Sequence, residues 1–116
     1  MKCLVLHIGI LVISQLAIPM FLCAADNGTE FFENKIRPVL VEHCYQCHSG
    51  DSKELRGELR LDLKGGWLTG GESGLPSIVP GKPDASPLMR AMRHDDGVSA
   101  MPPDSPRLPT AVINDF

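Results

Sequence analysis

Apolar residues are distributed differently in the first and the later part of this chain. Residues 3–22 form an almost continuous apolar run that follows Lys2, and small residues occupy positions 23–25. This order is typical of a secretory signal that is cut before Asp26, and Pro19 favours cleavage. We therefore predict a signal peptide over residues 1–25. The alternative is an uncleaved anchor, because the run is close to the ~20 residues that span a bilayer.

Apolar positions after this run recur at helical spacing. They are Phe32, Ile36, Val39 and Leu40. The spacing predicts a first helix from Gly28 or Thr29 to Cys44, with Asn27 or Thr29 as its N-cap. Pro38 lies inside this helix and should kink or divide it.

The middle of the chain has a mixed pattern. Leucines at positions 59, 61 and 63 alternate as in a short strand, whereas Leu55 and Leu59 fit a helical turn. Gly57 argues against one long helix. Residues 65–87 are rich in Gly and Pro and predict a long loop.

Two short helices are predicted in the last third. Ser86 is a suitable N-cap, and Pro87 suits the first helical position. The helix that follows carries Leu88 and Met92 on one side, and Gly97 should end the segment. Residues 101–109 predict an extended loop, and residues 110–116 predict the first two turns of another helix.

The composition indicates a thin hydrophobic core. The chain has four Phe, one Tyr and one Trp, but eleven Gly and ten Pro. Small domains of this kind often need a metal or a cofactor to complete the core. The formal net charge of −3, without a basic cluster, argues against binding to nucleic acid or to an anionic membrane surface.

The stretch "VEHCYQCHSG" carries the strongest chemical signal. Cys44 and Cys47 are three residues apart, and His48 follows directly. In a covalent haem site, each sulfur is bonded to a former vinyl group, and the adjacent imidazole binds the iron. Because the chain is predicted to be exported, this interpretation is preferred.

Disulfide and zinc sites are the alternatives at this stretch. The other two cysteines, Cys3 and Cys23, lie in the predicted signal. A bridge across Cys-x-x-Cys closes too small a loop to stabilise a fold, and redox-active forms accompany a βαβ pattern that is missing here. A structural zinc site usually needs a second close ligand pair. The remaining histidines, His43 and His94, do not form one.

The sixth ligand of a haem iron is predicted to be Met101. It stands in "AMPPD", where two prolines exclude a helix and stiffen the loop. The loop lies far enough along the chain from His48 to reach the opposite haem face. The other candidates are His94, which is the runner-up, and Met89 and Met92, which suit core positions.

Five blocks of sequence resemble one family. They are "FFENKIRPVLVEHCYQCHSG", "RGELRLD", "GGESG", "IVPGKPDASPLMRAM" and "MPP". Together they resemble the planctomycete-type cytochrome c domain, a small class I c-type cytochrome. The resemblance implies a mainly α, cytochrome c-like domain over residues 26–116, with long Gly/Pro loops around one covalent haem c. It places the thioether bonds on Cys44 and Cys47, the proximal ligand on His48 and the distal ligand on Met101.

The chain departs from this family at two places. Ala100 precedes Met-Pro-Pro where such domains often have Lys, and "TAVINDF" is shorter than their terminal helix. An isolated helix of this length is unstable by itself. We therefore expect the terminal helix to be incomplete and the chain to be a truncated form or a fragment.

These observations predict a c-type cytochrome domain that carries single electrons outside the cytoplasm and is not itself an enzyme. We expect an exported, periplasmic protein that contacts the membrane only if the N-terminal segment is retained. Its partner would be a redox protein or the fused domains of a longer homologue. The alternatives are a haem-based sensor of small ligands and a zinc-stabilised interaction module of a larger exported protein.

Overall fold

The computed structural model describes residues 26–116, so the predicted signal segment lies outside the described residues. The α-helices are α1 (Asn27–Phe31), α2 (Arg37–His43), α3 (Tyr45–His48), α4 (Lys64–Thr69), α5 (Pro87–Arg93) and α6 (Thr110–Asn114). A π turn, Phe32–Ile36, joins α1 to α2, and 3₁₀ turns cover Arg56–Glu58, Gly71–Ser73 and Pro83–Ala85. No strand occurs within residues 26–116, which confirms the mainly α fold class.

The first helical stretch begins one position earlier than predicted. Asp26 is its N-cap, with φ −61° and ψ 130°, and its side chain makes no capping hydrogen bond. Asn27 and Thr29, the predicted caps, are therefore inside α1. The Asp26 carbonyl oxygen accepts a hydrogen bond from the Glu30 N–H at 3.1 Å and closes the first turn.

Pro38 does not end this helical stretch, because a π turn precedes it. The Arg37 N–H donates to the Phe32 carbonyl oxygen, five residues back instead of four. In a regular α-helix the Pro38 ring would clash with the carbonyl four residues earlier, and the wider turn relieves that clash. The Arg37 guanidinium lies 5.0 Å from the Phe32 ring centroid, so the widened turn also gains a cation–π contact.

The strand interpretation of the middle segment is wrong. Leu59 and Leu63 have extended backbones, but residues 61–63 bend and no strand pairing forms. Just before them, Arg56–Glu58 form a 3₁₀ turn in which Gly57 and Glu58 have φ values of 60° and 51°. The Gly/Pro region, predicted as one loop, contains α4. Gly66 lets α4 lie against the main chain of Arg60, because a Cβ there would overlap the Arg60 carbonyl oxygen.

Helix α5 starts as predicted and stops earlier. Ser86 is the N-cap and Pro87 the first helical residue, although the Ser86 hydroxyl bonds outside the helix. Its Oγ accepts from the Val79 N–H at 2.9 Å and donates to the Lys82 carbonyl oxygen at 3.0 Å. The helix ends at His94, which has a φ of 59°, and not at Gly97.

A small aliphatic core holds these elements together. Its buried members are Leu40, Leu61, Leu88, Met89, Met92, Leu108 and Ile113. Helix α6 packs against α5 and contributes Ile113, which is 3% exposed. Because it covers only Thr110–Asn114, α6 is shorter than the two turns predicted from the sequence.

Gly70 and Gly74 provide a matched test of close packing. Both have left-handed backbones, with φ of 78° and 63°, but a Cβ at Gly70 would overlap the Leu75 carbonyl oxygen, whereas space around Gly74 is open. We expect Gly74→Ala to cost about 1 kcal/mol from backbone strain alone. Gly70→Ala should cost at least ~2 kcal/mol more, because of overpacking. Urea unfolding monitored by circular dichroism measures the difference. Equal unfolding midpoints for the two variants would contradict this expectation.

Candidate cofactor site

The Cys-x-x-Cys-His stretch is built around a single tight turn. Cys44 separates α2 from α3, and its carbonyl oxygen accepts the N–H groups of Cys47 at 3.1 Å and His48 at 2.9 Å. The two cysteines are half-buried, and they are not joined in a disulfide. The turn therefore keeps two free thiols and one imidazole close together.

His48 is buried, with 8% of its surface exposed. Its Nδ1 lies 3.3 Å from the Leu59 carbonyl oxygen. A carbonyl can only accept, so this hydrogen bond places the proton on Nδ1 and leaves Nε2 with a free lone pair. The main chain of His48 is held as well, because its carbonyl oxygen accepts from the Leu61 N–H at 2.8 Å. This is the arrangement that prepares a histidine to bind a metal.

A charged clamp fixes the chain just after His48. The Arg60 guanidinium donates through Nε to Asp62 Oδ1 at 2.9 Å and through a terminal nitrogen to Oδ2 at 2.5 Å. Oδ2 also accepts from the Gly50 N–H at 3.1 Å. These bonds, with the Arg60 bond as the main cause, lower the pKa of Asp62 to about 2.

Burial changes the acidity of one thiol. It raises the pKa of Cys44 to about 11, and the neighbouring Cys47 adds a smaller effect in the same direction. Cys44 is therefore a protonated thiol at neutral pH, and an uncharged side chain suits an apolar surrounding.

A cavity of about 450 Å³ opens beside these groups. This volume lies within the usual range for cofactor sites, and the lining is mostly apolar. The lining includes all four predicted site residues: Cys44, Cys47, His48 and Met101. The structure therefore brings the Met101 thioether, which is distant in the sequence, to the same cavity as the two thiols and the imidazole.

The other predicted candidates for the distal ligand are placed differently. Met89 and Met92 are buried core residues, at 5% and 1% exposure, and only Met92 also lines the cavity. His94 is not part of the cavity lining, and its Nε2 lies 3.3 Å from the Met101 carbonyl oxygen. Met101 is half-buried on a loop, and it combines exposure to the cavity with a position outside the core.

The pattern of the sequence did not identify several residues of the site. His43, the last residue of α2, lines the cavity. Arg56 and Glu72 place opposite charges on the cavity lining, from the two 3₁₀ turns that pack against each other. Their only sequence signal is membership of the blocks "RGELRLD" and "GGESG".

Within residues 26–116, no three His, Cys, Asp or Glu side chains lie where they could hold a metal ion, so the zinc alternative has no ligand set there. Nor does that range contain a helix with the length and hydropathy needed to cross a bilayer.

Comparison with known proteins defines the class. The sequence matches the family described as Planctomycete cytochrome C over residues 44–105, which is more than half of the chain. No curated protein and no solved structure matches. The class is therefore that of the c-type cytochromes. The chain belongs to the Planctomycete cytochrome C family, as its sequence blocks predicted.

Family membership implies haem c, and the residues around the cavity fit that group. Haem c requires two thiols at this spacing, an imidazole with an available nitrogen and an apolar enclosure. Cys44, Cys47 and His48 meet the first two requirements, and the lining of the cavity meets the third.

The clamp at Asp62 predicts a pH dependence of stability. Because folding lowers its pKa from the usual 3.8 to about 2, the charged carboxylate stabilises the fold above about pH 4. That contribution is lost as the pH falls towards about 2. We expect Asp62→Asn to be less stable near neutral pH and to lose less stability on acidification than the wild type.

Urea unfolding at a series of pH values would measure this difference. Asp104→Asn is the control, since Asp104 is exposed and lies outside the clamp. If the unfolding free energies of the wild type and Asp62→Asn changed in parallel with pH, the role assigned to the clamp would be contradicted.

Proposed function

We propose that this chain is a c-type cytochrome domain that binds one covalent haem c and carries single electrons outside the cytoplasm. The observation that supports this proposal best is the shared cavity. Its lining contains the Cys-x-x-Cys-His turn and, from a distant loop, Met101. These are the side chains that covalent attachment and six-coordinate iron require.

Each residue has a defined task in this proposal. Cys44 and Cys47 would hold the haem through two thioether bonds, each formed when an S–H adds across a vinyl double bond. His48 would offer Nε2 to the iron, while its Nδ1–H donates to the Leu59 carbonyl oxygen. Met101 would offer a second ligand, its thioether sulfur.

When bound, the haem supplies a reversible one-electron Fe(III)/Fe(II) couple. The chain contributes the ligands, their orientation and the exclusion of water. A thioether ligand stabilises Fe(II) and raises the reduction potential, which suits electron transfer. The chain itself converts no substrate in this proposal, and its partner is a redox protein or the fused domains of a longer homologue.

Export is part of the same proposal. The apolar run with its small-residue end supplies the signal, and attachment of haem c follows export in bacteria. We infer a periplasmic location, with contact to the membrane only if residues 1–25 are retained.

Substitution of the cysteines tests covalent attachment. We expect wild-type protein produced with a cytochrome c maturation system to carry haem that survives acid extraction. Its pyridine haemochrome spectrum should show two thioether bonds. Cys44→Ala and Cys47→Ala should each show one, and the double variant none. Wild-type protein without covalent haem would refute the proposed function.

Substitution of Met101 tests the distal ligand. Met101→Ala should keep its haem but lose the far-red Met-to-iron charge-transfer band of the ferric protein. Its potential should fall by on the order of 0.1 V, within the ~0.8 V range that axial ligands control. Met89→Leu is the control, because Met89 is buried and lies outside the cavity lining. A five-coordinate ferrous wild type would favour the small-ligand sensor instead.

A further inference from the structure

The end of α5 has an unusual conformation. His94, which ends the helix, has φ 59° and ψ 42°, in the left-handed region. For a residue other than Gly this conformation is disfavoured, so a specific interaction is expected to maintain it. The adjacent main chain supplies one bond, from the His94 N–H to the Ala91 carbonyl oxygen at 3.2 Å.

The His94 side chain makes a second bond, to the residue proposed as the distal ligand. Its Nε2 lies 3.3 Å from the Met101 carbonyl oxygen. Since that oxygen can only accept, the hydrogen is on Nε2. The ring therefore donates to the main chain of Met101.

The main chain of Met101 is tied to the end of α5 at two points. Its N–H donates to the Ala91 carbonyl oxygen at 3.0 Å, and its carbonyl oxygen accepts from His94. The same turn of α5 includes Met92, which is 1% exposed. These bonds connect the Met101 loop to the best-buried part of the core.

His94 and Met101 differ in their relation to the cavity. Met101 contributes to the lining, whereas His94 does not. His94 therefore contacts the main chain of this loop from outside the cavity lining. As a competing ligand, it would first have to release the Met101 carbonyl oxygen.

We propose that His94 is a positioning residue for Met101: its Nε2–H holds the Met101 main chain so that the thioether stays at the cavity. This inference rests on the proposed function, because it assigns Met101 to the iron. The inference depends on the hydrogen bond between His94 Nε2–H and the Met101 carbonyl oxygen, and it requires no proton transfer.

Three substitutions separate positioning from general stability. His94→Gly removes the donor and relieves the left-handed backbone, so it should fold at least as well as the wild type. His94→Ala removes the donor and keeps the strained backbone. His94→Gln keeps the same strain but offers an amide N–H that can reach the Met101 carbonyl oxygen.

The measurement is made on the full chain loaded with haem. Imidazole added to the ferric protein competes with Met101 for the iron, and the far-red charge-transfer band reports the loss of Met101. Because one hydrogen bond is at stake, we expect imidazole to bind about five-fold more tightly to His94→Gly and His94→Ala. The reduction potential of both variants should fall. In His94→Gln, the imidazole affinity and the reduction potential should both return close to the wild-type values.

Two results would overturn the inference while covalent haem attachment still holds; the second would also overturn the assignment of Met101 as the distal ligand. In the first, the wild type carries haem, and His94→Gly and His94→Ala have the same imidazole affinity and reduction potential as the wild type. In the second, the wild type lacks the charge-transfer band and shows a bis-histidine spectrum that disappears in His94→Ala. His94 would then be the iron ligand in place of Met101. Wild-type protein without covalent haem would overturn the proposed function together with this inference.

Discussion

The hydrogen bond from His48 Nδ1–H to the Leu59 carbonyl oxygen is the contact on which the candidate site depends. A four-residue helix has too few internal bonds to orient an imidazole by itself. Orientation comes from the segment at residues 59–61, where the Leu59 carbonyl oxygen accepts from the ring and the Leu61 N–H donates to the His48 carbonyl oxygen. That segment is in turn positioned by the neighbouring 3₁₀ turns, which pack closely because Gly71 has no side chain. A Cβ there would overlap the Gly57 carbonyl oxygen.

The core and the cavity share four residues. Leu61, Leu88, Met92 and Leu108 are buried members of the core and also line the cavity. A chain with so few aromatic residues cannot fill this volume from its own side chains. Binding of an apolar group would therefore stabilise the fold as well as complete the site, since a ligand that binds only the folded state shifts the folding equilibrium. Occupation of the cavity would then affect the stability of the fold as well as the proposed chemistry of the site.

Sequence patterns predicted which residues would share a site better than they predicted the path of the chain. The Cys-x-x-Cys-His spacing and the two prolines after Met101 are local signals, and the fold places these residues around one cavity. The path of the chain around Gly57, Gly66 and His94 was not predictable in this way. Each of these positions depends on a contact with a distant main-chain segment or on a left-handed backbone. Composition alone does not report such contacts, because tertiary packing overrides local propensity.

The π turn at Phe32–Ile36 has a consequence for sequence comparison. A π turn contains one residue more than an α turn. Because the wider turn absorbs this extra residue, deleting one residue there would restore a continuous α-helix and leave the faces of α1 and α2 nearly unchanged relative to each other. A related chain whose first helix is α throughout would therefore align with this one only through a one-residue gap inside a helix. Gaps are ordinarily placed in loops, and an alignment that moved this gap into a loop would assign Phe32 to the wrong face.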